Sequence, residues 1–88
     1  MNNYIKIKEI YGNNNISGTV YGNVKVGDLV ELYDSINNSL NIFSHIESIN
    51  IFGIEYDSLS HGITASFICP GFNEDFLDKG MKIVVCEE

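Results

Sequence analysis

Short apolar runs separated by glycine and asparagine turns restrict the fold of this chain more than any other feature. The clearest example is residues 18–32, where Lys25-Val26-Gly27-Asp28 separates two strand-like runs. Gly27 can adopt the positive φ that a type II turn requires at its third position. Beyond the turn, Val30 and Leu32 share one face of a strand. We therefore expect two strands joined by a tight turn.

The same alternation recurs along the chain. In residues 4–11, Ile5, Ile7 and Tyr11 fall on one face, and Lys6 and Lys8 fall on the other. Strands are likewise predicted over residues 16–21, 29–32, 40–52, 63–69 and 81–86. We interpret six glycines as the corners and bulges between or within these strands: Gly18, Gly22, Gly27, Gly62, Gly71 and Gly80.

Chain length and strand spacing together predict the architecture. Eighty-eight residues make one domain, residues 1–88, and a chain of this size buries roughly 60 to 65% of its unfolded surface. Six or seven short strands need a closed sheet to hide their edges, because an open sheet this small exposes too much apolar surface. The expected fold is all-β, a small closed antiparallel barrel of six to seven strands.

Charge limits the classes of partner. Twelve acidic residues against five lysines and no arginine give a net charge of −7. Because nucleic-acid binders place Lys and Arg against phosphates, this balance argues against nucleic acid as a partner. An RNA-binding or ribosome-binding role would require Lys6, Lys8 and Lys25 to share one surface. That role remains an alternative.

The sequence also carries an expectation about compartment. It lacks the roughly 20-residue apolar run that a membrane span needs, and its first residues lack the pattern of an export signal. Cys69 and Cys86 lie far apart and form no Cys-x-x-Cys pair, which suits thiols in a reducing environment. We expect a cytoplasmic protein without a membrane partner.

Three segments resemble the second domain of the translational GTPases, the small β-barrel of elongation factor Tu and its relatives. The first is Lys25-Val26-Gly27-Asp28 with the strand that follows, which is similar to the Lys-Val-Gly-Asp turn of that family. The second is residues 71–81, where Gly71, Leu77, Lys79 and Gly80 match the family spacing. Ser48-Ile49-Asn50-Ile51-Phe52 also falls where the family has a similar strand. The resemblance covers nearly the whole chain.

The resemblance implies a barrel that binds other molecules and catalyses nothing. In elongation factor Tu this domain contacts the GTPase domain and cradles the aminoacylated end of tRNA. Here Pro70 stands where an arginine usually precedes the glycine, and Thr19 stands at another position that is often arginine. The implied function is therefore a stand-alone protein-binding or assembly module.

Candidate reaction centres and metal sites find little support in the sequence. Cys69 and His61 are the available nucleophile and base, but a dyad also needs a third group to hold the base. His45, His61 and Asp57 lack metal-ligand spacing, and the polar run after Asp34 lacks the glycine and terminal Glu of a calcium loop. We predict no catalytic residue, metal, cofactor or small-molecule substrate, and keep a thiol-dependent enzyme using Cys69 and His61 as an alternative.

Two groups of residues are candidate interaction surfaces. Exposed aromatic residues on a small barrel can mark a partner face or a homodimer seam. The predicted partner face consists of Tyr21, Tyr33, Phe52 and Phe72. The second group is an acidic cluster of Glu74, Asp75 and Asp78, with Asp75 as the cap of one helical turn. This cluster would suit a basic partner.

Overall fold

Ten β-strands make up the architecture of the described residues, 2–12 and 14–86, in this computed structural model. The strands are β1 Tyr4–Gly12, β2 Asn15–Tyr21, β3 Val24–Lys25, β4 Leu29–Tyr33, β5 Ser39–His45, β6 Ser48–Ile51, β7 Ile54–Glu55, β8 Ser58–Leu59, β9 Thr64–Ile68 and β10 Lys82–Val85. A single 3₁₀ turn, Glu74–Phe76, is the one helical element of these residues. The all-β prediction is confirmed, with strand making up 56% of the structure.

Eight strands form one antiparallel sheet in the order β5-β4-β10-β1-β2-β9-β6-β7, and β3 pairs with β8 in a separate ribbon. The predicted strand at residues 40–52 is therefore two strands. One is β5, at one edge of the sheet, and the other is β6, next to the opposite edge strand β7. No ladder joins the edge strands β5 and β7 within residues 2–12 and 14–86, so the sheet is open.

The sheet is nevertheless strongly curled. In a flat sheet, β5 and β6 would lie about 29 Å apart, six strand spacings away. Only Ile46 and Glu47 separate the two strands in sequence, and three Cα–Cα steps span at most about 11 Å. The backbone N–H of Ile46 donates to Asp28 O, and that of Glu47 donates to Ile68 O. This two-residue link thus bonds to both sides of the sheet.

A β-bulge in β1 reverses the alternation predicted for that strand. Ile7 pairs with Gly18 and Glu9 with Ser17, which leaves Lys8 without a partner of its own in the register. Lys8 and Glu9 are consequently both exposed. Beyond them, the alternation of inward and outward side chains is shifted by one residue. Tyr11 was predicted to share a face with Ile5 and Ile7, and that prediction is wrong because the bulge turns it toward solvent, where it is 61% exposed.

The core lies on the inner face of the curled sheet. Its largest fully buried side chains are Phe67, Phe72, Ile5, Ile7, Ile16, Leu32, Ile46, Ile49 and Ile83. Phe72 was predicted to be exposed, and that prediction is wrong. The backbone N–H of Phe72 donates to Cys69 O across a turn in which Gly71 has φ +96°, as a type II turn requires at its third position. This turn directs the Phe72 ring into the core.

Two further turn predictions have different outcomes. The turn at residues 25–28 is confirmed, because Asp28 N–H donates to Lys25 O and Gly27 has φ +95°. Asp75 does not cap the helical turn. Asn73 holds that position, and its side-chain oxygen accepts from the backbone N–H of Asp75.

Candidate anion-binding surface

The outer face of the central strands carries most of the lysines. Alternation along β1 turns Lys6 outward while Ile5 and Ile7 are buried. Antiparallel pairing then places Lys6 opposite Thr19 on β2 and opposite Lys82 on β10. Side chains directly opposite each other in such a sheet stand about 5 Å apart at Cβ. Lys6, Thr19 and Lys82 therefore form one row across three strands.

A groove of about 380 Å³ runs beside this row. We call it the basic groove, and its lining residues are Lys6, Ile7, Lys8, Thr19, Tyr21, Lys79 and Gly80. Lys79 reaches it because the turn before β10 is bonded to β1, where Gly80 N–H donates to Ile7 O at 2.9 Å. Three ammonium groups thus surround one groove, and Lys82 lies next to it.

Carboxylates act on two of these four lysines, Lys79 and Lys82. Lys79 Nζ lies 3.3 Å from Glu9 Oε1 in an exposed pair, and such pairs hold their partners weakly. Lys82 Nζ makes a long 3.4 Å contact with Ser35 O. The side chains of Lys6 and Lys8 have no hydrogen bond or ion pair with any residue in the described part of the chain. These two side chains can therefore contact an anion without breaking an internal interaction.

Tyr21 forms a wall of the groove, and Tyr4 stacks on it from outside the groove lining. Tyr4 and Tyr21 are cross-strand partners, with ring centroids 4.8 Å apart and planes 9° from parallel. The His61 ring meets Tyr21 at 5.5 Å, edge to face, and His61 Nδ1 accepts from the backbone N–H of Gly22. Because the tyrosine rings cover each other, the faces that they share are closed to a stacking base. The tyrosine pair therefore limits the width of the groove, and its shared ring faces do not stack on a nucleic-acid base.

A hydroxyl pair adds hydrogen-bonding capacity at the same place. Thr19 Oγ1 and Thr64 Oγ1 lie 2.7 Å apart on neighbouring strands. Two hydroxyl groups carry two protons, and their mutual hydrogen bond uses one. The second proton remains available for an anionic oxygen next to the lysines.

The structure separates several residues that the sequence grouped together. Lys25 does not lie with Lys6 and Lys8, because it lines a different groove together with Asp28. The predicted condition for an RNA-binding role, one surface shared by Lys6, Lys8 and Lys25, is therefore not met. Tyr21 lines the basic groove, and Tyr33 is the cross-strand partner of Lys82 on the same outer face.

The predicted partner face is accordingly divided. Phe52 lies away from the basic groove, at the tip of the β6–β7 hairpin, where it is 100% exposed. Phe72 lies in the core. Only Tyr21 and Tyr33 of the four predicted residues belong to the surface that carries the lysines.

Cys69 and His61 do not form a dyad. Cys69 is fully buried, and its burial raises the pKa of the thiol to about 12, so it stays protonated near neutral pH. His61 is exposed and its Nδ1 is occupied by Gly22. No hydrogen bond between the two side chains occurs within the described part of the chain.

The other candidate sites do not acquire ligands either. Within residues 2–12 and 14–86, no cluster of His, Cys, Asp and Glu side chains is placed to hold a metal ion. Asp34 Oδ1 accepts instead from the backbone N–H groups of Ile36 and Asn38. Glu74, Asp75 and Asp78 are all exposed, beside or within the 3₁₀ turn.

Lys79 and Lys82 are the members of this surface that the sequence did not identify. They follow Lys6 by more than 70 residues, and only the pairing of β1 with β10 brings them together. A weak signal was present, since Lys82, Ile83 and Val84 alternate as an outward-inward-outward strand. The small number of lysines in an acidic chain made this signal easy to overlook.

Comparisons with protein-family models and with curated proteins find no match to this chain. Among the described residues, no helix has the length and apolar character to cross a membrane.

Proposed function

We propose that this protein is a non-catalytic binding module whose basic groove holds the phosphate backbone of RNA. The observation that carries the proposal is the concentration of four of the five lysines, Lys6, Lys8, Lys79 and Lys82, on one face of a chain with net charge −7. The fifth lysine, Lys25, lines a different groove.

Net charge does not prevent this mode of binding. Exposed charges are screened over a Debye length of about 10 Å at 0.1 M salt, whereas the molecule extends 31 × 28 × 19 Å. A phosphate in the groove therefore interacts more strongly with the adjacent lysines than with the carboxylates at the far end of the sheet. The acidic residues outside the groove lower the overall affinity for RNA and disfavour RNA binding elsewhere on the surface.

The proposal includes the barrel type that the sequence resembles, the second domain of translational GTPases. Its support is the sheet's curl through Ile46 and Glu47, together with the Gly27 turn and the spacing from Gly71 to Gly80. Closure into a barrel would require edge strand β5 to pair with the other end of the sheet, where β6 lies. Such a barrel serves as a scaffold for surface contacts.

The test is the salt dependence of binding to a fluorescently labelled single-stranded RNA, followed by anisotropy. Each phosphate contact contributes about −0.7 to the slope of log K against log salt. We expect a slope near −2 for three groove lysines, and Lys6→Glu should lower affinity and reduce the slope by about 0.7. Lys25→Glu is the matched control, because it changes net charge equally in the other groove.

Equal weakening by Lys6→Glu and Lys25→Glu would contradict the proposal, since only net charge would then matter. RNA binding that is absent at low salt would contradict it as well. Heparin in place of RNA distinguishes a general polyanion surface from one adapted to nucleic acid.

An assembly module that binds protein is a second candidate. The observation in its favour is Phe52, a large apolar side chain that is fully exposed away from the basic groove. The two functions use different surfaces, so one molecule can perform both.

A further inference from the structure

Phe52 occupies a backbone conformation that large side chains seldom adopt. It has φ +50° and is followed by Gly53 with φ +81°, in the two-residue turn between β6 and β7. Positive φ at both central positions is the signature of a type I′ turn, for which Asn-Gly is the favoured pair. Gly53 N–H donates to Asn50 Oδ1 at 2.9 Å, which holds the turn. Asparagine in place of Phe52 would suit this backbone better.

The exposure of Phe52 makes its presence more unusual. The side chain is 100% exposed, and the neighbouring Ile54 is 60% exposed. Strain at a position that contributes nothing to the core indicates a role outside the folded monomer. The carboxylates nearby, Glu47, Glu55 and Asp57, form no ion pair within the described residues. The hairpin tip thus exposes two apolar side chains, Phe52 and Ile54, next to these unpaired carboxylates.

A complementary surface lies a short distance along the same molecule. A groove of about 590 Å³, which we call the end groove, has an apolar floor and one lysine at its border. Its apolar residues are Val24, Leu59, Ile63 and Val85, and Lys25 supplies the positive charge. Asp28 also lines the end groove, but its Oδ2 accepts from the backbone N–H of Lys25. The volume is ample for one phenyl ring.

We infer that the hairpin tip of one copy of this chain docks in the end groove of a second copy, with Phe52 on the apolar floor and Glu55 beside Lys25. The inference names the partner for the assembly function and rests on that second candidate. Tyr56 lines the end groove only four residues after Phe52, a span of at most about 15 Å. Tip and groove therefore lie close enough for two copies to exchange tips around a twofold axis.

The expected complex is a weak, reversible dimer. Two side chains and two small grooves bury less surface than the roughly 1,200 Å² at which standard interfaces begin. A few buried aromatic residues dominate the affinity of such contacts. Phe52 should consequently account for most of the association.

The first test compares Phe52→Asn with wild type by sedimentation velocity over a concentration series. We expect the variant to weaken self-association at least about tenfold, the effect of losing a hot-spot side chain. The same variant should raise Tm by about 4 to 8 °C, since it relieves left-handed strain in a small domain. Phe43→Asn, which removes another exposed ring, should leave association unchanged.

A charge exchange tests the position of the partner. Lys25→Glu and Glu55→Lys should each weaken association, and the double variant should restore it to within about threefold of wild type. A wild-type protein that stays monomeric at millimolar concentration would overturn the inference. Unchanged association in Phe52→Asn, or a double variant no better than either single one, would overturn it too.

These results are separable from those for the basic groove. Phe52→Asn should bind RNA as wild type does, and Lys6→Glu should self-associate as wild type does. Loss of RNA binding by Lys6→Glu with no self-association in wild type would leave the RNA proposal standing and remove this one.

Discussion

Gly18 illustrates how one residue sets the distance between the two longest paired strands. It lies within β2, and a Cβ there would overlap Ile5 Cγ2 and stand 2.7 Å from Lys6 O. Both contacts are far below van der Waals separation. Glycine is thus needed for close approach of β2 to β1, next to the bulge at Lys8.

Replacement of this glycine is expected to destabilise the fold. Gly18→Ala would force β1 and β2 apart, and overpacking of this kind costs about 1 to 3 kcal/mol. Urea unfolding measures the change. Ser17→Ala on the same strand adds no atoms and should stay within about 0.5 kcal/mol of wild type. A Gly18→Ala variant as stable as Ser17→Ala would contradict this prediction, because β1 and β2 would then separate with no loss of folding free energy.

The connection between β4 and β5 is organised by one carboxylate. Asp34 Oδ1 accepts from the backbone N–H groups of Asn38 at 2.8 Å and Ile36 at 3.0 Å. The hydrogen bond from Asn38 is the largest cause that lowers the pKa of Asp34 below 3.8, and Ile36 and Lys82 lower it further. A lowered carboxyl pKa stabilises the folded state above the unfolded value of 3.8 and loses that contribution as pH falls.

Acid should therefore loosen this loop before it unfolds the sheet. The amide signals of Ile36 and Asn38 should titrate together, with a midpoint below 3.8, when followed by NMR. Asp34→Asn keeps an acceptor oxygen but removes the charge, so its spectrum should lack this transition. A midpoint at or above 3.8 in wild type would contradict the assignment of these hydrogen bonds.

At the scale of the whole molecule, stability should decline from the centre of the sheet to its edges. β1 and β2 have partners on both sides, whereas β5 and β7 each have one. Strands with an unpaired side open more readily, because their outer N–H groups meet water.

Hydrogen exchange can measure this gradient. Amide protons in β1 and β2 should exchange only by global unfolding, and those of β7 should exchange fastest of the strands in the main sheet. Protection along all of β5 equal to that of β1 would indicate that β5 is paired on both sides, as a closed barrel requires. Slow exchange in β7 with fast exchange in β1 would contradict the strand order.

Sequence reasoning predicted the local features of this fold well. Alternation located the main strands, and the identity of Gly27 determined its turn, because both depend on neighbouring residues. It failed at Tyr11 and Phe72, where a bulge and a second turn redirect the chain. The basic groove depends on the pairing of β1 with β10, which are distant in sequence, and so does the row of Lys6, Thr19 and Lys82. Such juxtapositions follow from register, which a single sequence does not display.

The pairing of β1 with β10 has a consequence during synthesis. Within this chain β1 is synthesised before its neighbour β10, and about 80 residues separate their paired positions. At 5 to 20 residues per second, β1 waits roughly 4 to 16 s with one edge uncovered. In that interval the edge of β1 that faces β10 has no partner, so the nascent sheet is open to pairing with other extended chains.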